Sequence, residues 1–202
     1  MSKNNNSATF FILGWIAEKF PNLVRDISDR GYQIGSHTHY HQLIYEQSPA
    51  VFKKDVEKSI KSLEDCTGKK VECFRAPGFS INESNLWAFE ILIDLGIKID
   101  SSIFPANRAH GGYKNIEINS PCLINYNGLT LKEFPINTYK FLNKKIVFSG
   151  GGYFRILPFE LIKYFIRRSD YVMSYFHPRD FDYLQPDIPG LNQIRKFKSN
   201  VG

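Results

Sequence analysis

The chain has 202 residues, the length of one ordinary domain, of which 43% are hydrophobic and 23% are charged. This composition is sufficient for a buried core and excludes an intrinsically disordered chain. Lysine and arginine outnumber aspartate and glutamate by 26 to 20, so the formal net charge is +6. That excess suits an acidic partner, but the basic pairs 144–145 and 167–168 are too short to indicate nucleic-acid binding. We therefore expect no nucleic-acid partner.

The cysteine pattern and the N-terminal residues bear on the cellular compartment. Cys66, Cys73 and Cys122 are odd in number and lack C-x-x-C spacing, so neither a disulfide framework nor a thiolate zinc site is indicated. Residues 1–7 lack the apolar run of a secretory signal, and no stretch approaches the ~18 apolar residues of a transmembrane segment. We expect a cytoplasmic protein whose oligomeric state the sequence leaves open.

Strands and helices alternate along the first half of the chain. The apolar pattern predicts strands at 8–13, 32–35, 71–74 and 97–100, and helices at 15–29, 49–67 and 82–95. Residues 106–153 are predicted as loops and short strands with a flexible corner at 150–152, followed by a helix at 158–168 and a strand at 171–176. This alternation indicates parallel βαβ units, and hence a single α/β domain over residues 1–202, as a barrel or an open sheet.

Polar side chains follow the ends of the predicted strands. The segment 37–41, Arg75, Asp100 and His177 each lie at or just after a strand end. Because active sites of α/β barrels and open α/β sheets form at the C-terminal edge of the strands, we expect these residues to converge.

Three of the five histidines, His37, His39 and His41, lie within five positions. An extended segment would place all three on one side, whereas a helical segment would place only His37 and His41 on one face. Both geometries allow His37 and His41 to bind one cation, and the alternative is a set of surface or core histidines. A catalytic zinc site also requires a third protein ligand and an open position for water.

The remaining candidates are individually ambiguous. His177 is placed for general acid–base chemistry, or it is a strand-end histidine bonded to a nearby carbonyl. Arg75 can orient a carboxylate or pair with a structural acid. Asp100 is an acid of the site or a cap for the following turn.

Taken together, these segments resemble the polysaccharide deacetylase family, the NodB-homology domain of carbohydrate esterase family 4. The matching segments are 8–11 (ATFF), 31–41 (GYQIGSHTHYH), 74–78 (FRAPG), 100–105 (DSSIFP) and 177–178 (HP). Two more, 133–135 (EFP) and 150–155 (GGGYFR), are similar to a subgroup linked to bacterial exopolysaccharide assembly. The resemblance covers essentially the whole chain in order.

The resemblance implies an irregular (β/α) barrel, seven-stranded in relatives, with the first strand and helix missing here. It also implies hydrolysis of an N-acetyl group on an amino-sugar-containing polysaccharide or glycan precursor, with Zn²⁺ or another divalent metal. His37 and His41 would bind the metal, and His177 would protonate the departing amine. The carbohydrate substrate is the only partner it implies.

Further roles follow from the same resemblance. Arg75 would hold the catalytic carboxylate, Asp100 would tune the site around His177, and Pro77 and Gly78 would contact substrate.

The family's first motif, an Asp-Asp pair that supplies the third metal ligand and the general base, has no match before Ala8. We therefore expect a piece of a longer deacetylase that binds zinc weakly and hydrolyses N-acetylglucosamine oligomers poorly. Asp180 and Asp182, which follow His177, are alternative ligands or bases. An unclosed barrel would leave a sheet edge at 8–13 or near Tyr171. The alternative function is a non-catalytic carbohydrate-binding relative, whose aromatic residues would stack on sugar rings.

Overall fold

A computed structural model describes residues 6–106, 111–141, 144–182, 184 and 190 of the chain. The chain divides into two compact units, residues 1–135 and 136–202, and each is described by itself. In the first unit the elements are β1 (Thr9–Ile12), α1 (Gly14–Lys19), α2 (Pro21–Asp29), β2 (Gln33–Ser36), α3 (Pro49–Thr67), β3 (Cys73–Phe74), α4 (Trp87–Asp94), β4 (Ile99–Asp100), β5 (Cys122–Tyr126) and β6 (Leu129–Glu133).

The first unit is built on a six-stranded sheet in the order β1-β2-β3-β4-β6-β5. In this sheet β1, β2, β3, β4 and β6 each run parallel to their neighbours in that order. The remaining strand, β5, pairs antiparallel with β6. The predicted α/β class with a mainly parallel sheet is therefore confirmed. Over the residues that the structure describes, β1 and β5 are the two edges of this sheet.

Helix α3 shows how the sequence specifies its own element. The Ser48 hydroxyl accepts the Val51 N–H at 3.4 Å at the start of the helix, and Gly68 ends it at φ 68°. Phe52, Val56 and Leu63 lie on its buried side. Their spacing of four and seven residues places them on one face of the helix. Burial of each side chain stabilises the folded chain by about 2 kcal/mol compared with leaving the side chain exposed.

Two predicted helices of the first unit differ from the observed ones. The helix expected at 15–29 is interrupted at Phe20, because Pro21 disfavours helical geometry in the residue before it; Phe20 adopts φ −131° and ψ 57°. The helix expected to start at residue 82 begins only at Trp87. Asn85 Oδ1 accepts the Asn82 N–H at 2.9 Å, so side-chain hydrogen bonds hold the preceding residues in turns instead.

The second unit contains a hairpin of β7 (Tyr139–Phe141) and β8 (Lys144–Ile146), followed by α5 (Gly151–Ile156) and α6 (Phe159–Arg167). Helix α6 confirms the helix predicted at 158–168. Within the described parts of both units, no helix combines the length and the apolar character needed to cross a membrane.

Two predictions for the second unit are wrong. The flexible corner at 150–152 is instead the start of α5, with Gly151 at φ 53°. The strand predicted at 171–176 is reduced to one bridge between Tyr175 and Gly150. The Asn137 side chain takes the place of a neighbouring strand, since its amide donates to Tyr171 O at 2.8 Å and accepts the Met173 N–H at 3.1 Å.

Candidate metal and acid–base site

The carboxyl ends of the parallel strands lie in register at one edge of the sheet. The residue after each strand donates its N–H to the last residue of the neighbouring strand: His37 to Ile12 O (3.0 Å), Arg75 to Ser36 O (3.0 Å), Ser101 to Phe74 O (3.0 Å) and Phe134 to Asp100 O (2.8 Å). The structure therefore brings the segments that begin at His37, Arg75 and Asp100 to the same edge, as predicted for the residues of the first unit.

His37 is held in a defined tautomer. Its Nδ1 lies 2.6 Å from the carbonyl oxygen of Arg75. A carbonyl can only accept, so Nδ1 carries the proton and Nε2 is the nitrogen that bears the lone pair. This is the orientation that metal-binding histidines adopt when a carbonyl holds their other nitrogen.

A tight turn brings His41 to His37. Thr38 and His41 both have positive φ, 66° and 61°, which is costly for residues with side chains. Thr38 offsets that cost, since its hydroxyl accepts the His41 N–H at 3.1 Å. The two imidazole rings meet edge to face with centroids 5.0 Å apart. Neither the extended nor the helical geometry is correct, but His37 and His41 are paired as the helical alternative predicted.

The residues that support this turn come from helices α1 and α3. Asp55 on α3 is buried, and its carboxylate accepts the N–H groups of His39 at 3.0 Å and Tyr40 at 3.2 Å. Gly14 donates its N–H to Thr38 O at 3.0 Å. A Cβ at Gly14 would lie 2.6 Å from His39 Nδ1, so no side chain fits there. Sequence reasoning missed Asp55, because an aspartate at a helical position resembles any solvated charge.

His39 has a different environment from the other two histidines. It is 1% exposed, its Nε2 lies 3.7 Å from Glu18 Oε2, and its ring packs on Tyr40. Burial, followed by the nearby Lys58, lowers the pKa of His39 below its ordinary value. Burial likewise lowers the pKa of His41. A neutral imidazole at His41 can bind a cation. The buried His39 ring instead packs against its neighbours and serves a structural role.

The pair His37–His41 fits two positions of a divalent-metal site. Imidazole nitrogen is a ligand of zinc and of related transition metals. Among the described residues, no group of three His, Cys, Asp or Glu side chains is placed to hold a metal ion.

Arg75 is bonded to the segment after β4. Its guanidinium donates to Ser101 O at 3.0 Å and to Ser101 Oγ at 2.6 Å, and it stacks on Phe11 with its carbon 4.4 Å from the ring centroid. In the turn that follows, Pro77 is buried and Gly78 is partly exposed at φ 61°. The roles given to Arg75, Pro77 and Gly78 by resemblance stay predictions.

Asp100 is 0% exposed and pairs with Glu133, which is also 0% exposed and lies opposite it in the strand register. Asp100 accepts the Ser102 hydroxyl at 2.6 Å and the Ser102 N–H at 3.2 Å, so it forms the turn cap that was one of its two interpretations. Glu133 accepts the Ile103 N–H at 3.0 Å. Burial raises the pKa of Asp100 and raises that of Glu133 well above its ordinary value, where the charge of Asp100 adds to the effect. Two buried carboxyl groups with raised pKa values favour a state in which one of them is protonated.

His177 belongs to the second unit, and its convergence with His37 and His41 stays a prediction. Its side chain is 50% exposed, and its Nδ1 lies 3.4 Å from Asp180 Oδ2. The Asp180 carboxylate also accepts the His177 N–H at 2.8 Å and contacts the Arg155 guanidinium. Burial by itself would raise the pKa of Asp180, but hydrogen bonds from His177 and Arg155 together with their charges lower it.

Two family profiles match the chain. The profile described as polysaccharide deacetylase matches residues 1–98, and the profile described as a domain of unknown function, DUF3473, matches residues 101–202. The chain belongs to the polysaccharide deacetylase family through its first half and to the DUF3473 family through its second. The resemblance to the polysaccharide deacetylases is thereby confirmed, and the resemblance to an exopolysaccharide-linked subgroup stays a prediction. The profiles meet at β4, whereas the compact units meet at residue 135, so the single-domain prediction stays a prediction.

Curated relatives match the first part of the chain. A peptidoglycan-N-acetylglucosamine deacetylase of Bacillus cereus is 35% identical over 91 residues, which is 45% of this chain and 33% of that protein. The peptidoglycan-N-acetylglucosamine deacetylase PgdA of Listeria monocytogenes is 31% identical over 83 residues, 41% of this chain and 18% of that protein. The chain thus matches a third or less of the length of these relatives.

One solved structure supports the fold. A crystal structure from Mycobacterium smegmatis, assigned to the polysaccharide deacetylases, aligns with a TM-score of 0.57 at 22% sequence identity. The alignment covers 67% of this chain and 42% of that one. At this identity the likeness concerns the fold alone.

Proposed function

We propose that this chain is a metal-dependent deacetylase that hydrolyses the N-acetyl group of an amino sugar in a glycan, releasing acetate and a free amine. The observation that carries the proposal is the pairing of His37 and His41 at the strand edge, with His37 Nδ1 bonded to a carbonyl. The names of the curated relatives support N-acetylglucosamine as the sugar.

His37 and His41 would hold the metal, and Zn²⁺ fits their donor atoms. When bound, a divalent ion polarises the acetamide carbonyl and lowers the pKa of water. The protein's own contribution is to fix both imidazoles before the metal arrives. The Arg75 carbonyl sets the His37 tautomer, and Asp55 holds the backbone of the turn between the two rings.

His177 would supply the proton that the departing amine requires, because an amide nitrogen leaves poorly without one. Its partial exposure is compatible with proton transfer to a substrate. Asp100 is a less suitable acid–base group in this scheme, since it has no exposed surface. Its hydrogen bonds to Ser102 instead order the segment that Arg75 contacts.

The proposal also concerns the polymer that contains the N-acetylated sugar. The relatives are named for peptidoglycan, whereas segments 133–135 and 150–155 resemble an exopolysaccharide-linked subgroup. Both polymers can present an N-acetylated amino sugar, so the N-acetylglucosamine unit is the shared chemistry that we propose the site acts on.

Acetate release from N-acetylglucosamine oligomers in the presence of zinc tests this function. We expect slow release, because the described residues place two imidazoles and no third ligand together. His37→Gln and His41→Gln should each lower the rate at least about tenfold, since each removes one metal ligand.

Tyr40→Phe is the matched control, because Tyr40 lies in the same turn, is 60% exposed and only accepts a hydrogen bond from Lys58 through its hydroxyl. Its rate should equal that of the wild type. Acetate release that is unchanged in both histidine variants would contradict the proposal.

The second candidate function is carbohydrate binding without hydrolysis. It is favoured by a row of aromatic rings in the second unit, in which Phe176 contacts Phe154 and Phe181 with centroids 5.2 and 5.3 Å apart. Phe181 is 70% exposed and offers a stacking surface for a sugar ring. Oligomer binding without zinc-dependent acetate release would favour this candidate.

A further inference from the structure

The second unit contains a charged cluster in which the proposed function gives a role to His177 alone. It consists of Arg155 on α5, Asp180 in the loop after His177, and His177 itself. Arg155 is 17% exposed and Asp180 is 5% exposed, so this ion pair is largely removed from water. Such a pair is costly unless its geometry is well satisfied. The burial of this ion pair therefore requires a structural or functional explanation.

The three residues of the cluster are brought together by close backbone packing between the start of α5 and the segment before His177. Gly151 donates its N–H to Tyr175 O at 2.9 Å, and Tyr175 donates to Ser149 O at 3.2 Å. A Cβ at Gly150 would lie 2.1 Å from the Tyr175 oxygen, so only glycine permits this approach. The start of α5 is thereby bonded to the segment that leads into His177. Arg155, one turn along α5, reaches the Asp180 carboxylate from there.

Asp180 is an ionised acceptor in this arrangement. Its Oδ1 contacts the Arg155 guanidinium, and its Oδ2 accepts the His177 backbone N–H at 2.8 Å. The same Oδ2 lies 3.4 Å from His177 Nδ1. The Asp180 backbone N–H donates to His177 O at 2.8 Å and also faces the His177 side chain, in the geometry of a capping box. An ionised carboxylate cannot donate, so the contact between Asp180 Oδ2 and His177 Nδ1 is favourable only when Nδ1 carries a proton.

We propose that Asp180 is the positioning residue of His177 and that Arg155 holds Asp180 in place. This inference rests on the proposed function, in which His177 is the general acid. It differs from the role that the resemblance gave to Asp100, and from the interpretation of Asp180 as a metal ligand or base. It also gives a use to the GGGYFR segment, whose glycines bring α5 to Tyr175 and whose arginine binds Asp180.

The arrangement has a defined consequence for proton transfer. With Nδ1–H facing Asp180, the proton that His177 gives up leaves from Nε2 and bonds to the nitrogen of the breaking C–N bond. His177 enters that step as an imidazolium and leaves it as the neutral Nδ1–H imidazole, so one proton moves and Asp180 stays ionised. The carboxylate stabilises the imidazolium and fixes the ring, as an aspartate does beside a catalytic histidine in hydrolases.

The direct test is nitrogen-15 NMR of the full chain with labelled histidines. At a pH about two units above the ordinary histidine pKa of 6.5, the ring nitrogens report the neutral tautomer. We expect His177 to be the Nδ1–H tautomer in the wild type and in Asp180→Glu, which keeps a carboxylate. Asp180→Asn should shift His177 toward Nε2–H. His177→Gln identifies the His177 signals.

Asp182→Asn is the matched control, since Asp182 lies in the same loop and its carboxylate accepts only the Leu184 N–H among the described contacts. It should leave the His177 tautomer unchanged. A wild-type His177 in the Nε2–H tautomer would overturn the inference without any variant, and this remains decisive if Asp180→Asn does not fold.

Acetate release separates this inference from the proposed function. Where the wild type is active, Asp180→Asn should lower kcat about tenfold or more with little change in KM, and Asp180→Glu should recover part of the loss. An unchanged kcat in Asp180→Asn would overturn the positioning role. A wild type that releases no acetate would instead count against the proposed function, and the tautomer would still decide whether Asp180 positions His177.

Discussion

Each of the two units contains buried carboxyl groups next to a candidate site residue, and the pKa shifts of these groups have opposite directions. In the first unit Asp100 and Glu133 face each other with no cation among their described contacts, and burial raises the pKa of both. In the second unit Asp180 is almost as buried, but the Arg155 guanidinium and the His177 N–H lower its pKa. Burial disfavours the charged form in both places, so the hydrogen bonds from the His177 N–H and the Arg155 guanidinium decide the outcome at Asp180.

This difference distinguishes a structural use of a carboxyl group from a functional one. Asp100 and Glu133 lie opposite each other on β4 and β6 inside the sheet. We expect the pair to hold one proton on Glu133, because Ser102 donates two hydrogen bonds to Asp100 whereas Glu133 receives one, from Ile103. Asp180 keeps its charge although its side chain is only 5% exposed, and it lies beside a half-exposed imidazole that the charge can influence.

The largest expected effect comes from removing the charge of Asp180. Asp180→Asn removes the carboxylate that contacts the mostly buried Arg155, and we expect a loss of about 3 kcal/mol in the free energy of unfolding. Urea denaturation measures it. Asp182→Asn, at an exposed position of the same loop, should change stability by less than about 0.5 kcal/mol. Equal effects of the two variants would remove the distinction between the two carboxylates.

Gly150→Ala tests the packing that brings Arg155 to Asp180. The new Cβ would meet the Tyr175 backbone oxygen at 2.1 Å, and we expect a destabilisation of about 2 kcal/mol. Gly152→Ala is the control, because its nearest contact would be the Arg155 side chain at 3.8 Å. An alanine within α5 should stabilise the helix by up to about 1 kcal/mol. A melting temperature that is higher for Gly150→Ala than for Gly152→Ala would contradict this account.

The proton expected on Glu133 predicts the pH dependence of the first unit. Because the folded pKa of Glu133 is raised, the folded chain binds one more proton than the unfolded chain. The contribution of Glu133 to the free energy of unfolding is fully present below its unfolded pKa of about 4.3. The free energy of unfolding then falls by about 1.4 kcal/mol per pH unit as the pH rises toward the folded pKa of Glu133.

Glu133→Gln replaces the proton with an amide that can donate to Asp100, so this part of the slope should vanish. Glu72→Gln, at an exposed carboxyl group paired with Lys98, should keep the wild-type slope. Parallel pH curves for Glu133→Gln and the wild type, from denaturant unfolding, would show that Glu133 holds no proton.

The predictability of the site depends on how local its interactions are. Strands β1 to β4, helix α3 and the common strand edge followed from the hydrophobic period and from the polar residues after each strand. The His37–His41 pairing also followed, since both residues lie within one short segment. The turn that pairs them depends on left-handed backbone at Thr38 and His41, which no propensity of these residues predicts.

Long-range partners were not accessible from the sequence. Asp55 is 16 residues from His39, and Glu133 is 33 residues from Asp100, so only the fold shows that they meet. The three glycines at 150–152 were misread for the same reason. Their composition indicates flexibility, but the Gly150 backbone is packed against Tyr175, a contact partner 25 residues away.

The central claim, that His37 and His41 share one divalent cation, is tested most directly by titrating zinc into the full chain with nitrogen-15-labelled histidines. We predict that the Nε2 signals of His37 and His41 shift together while the buried His39 does not respond. Zinc that moves the His39 signals, or that leaves both His37 and His41 unchanged at saturating concentration, would contradict the claim.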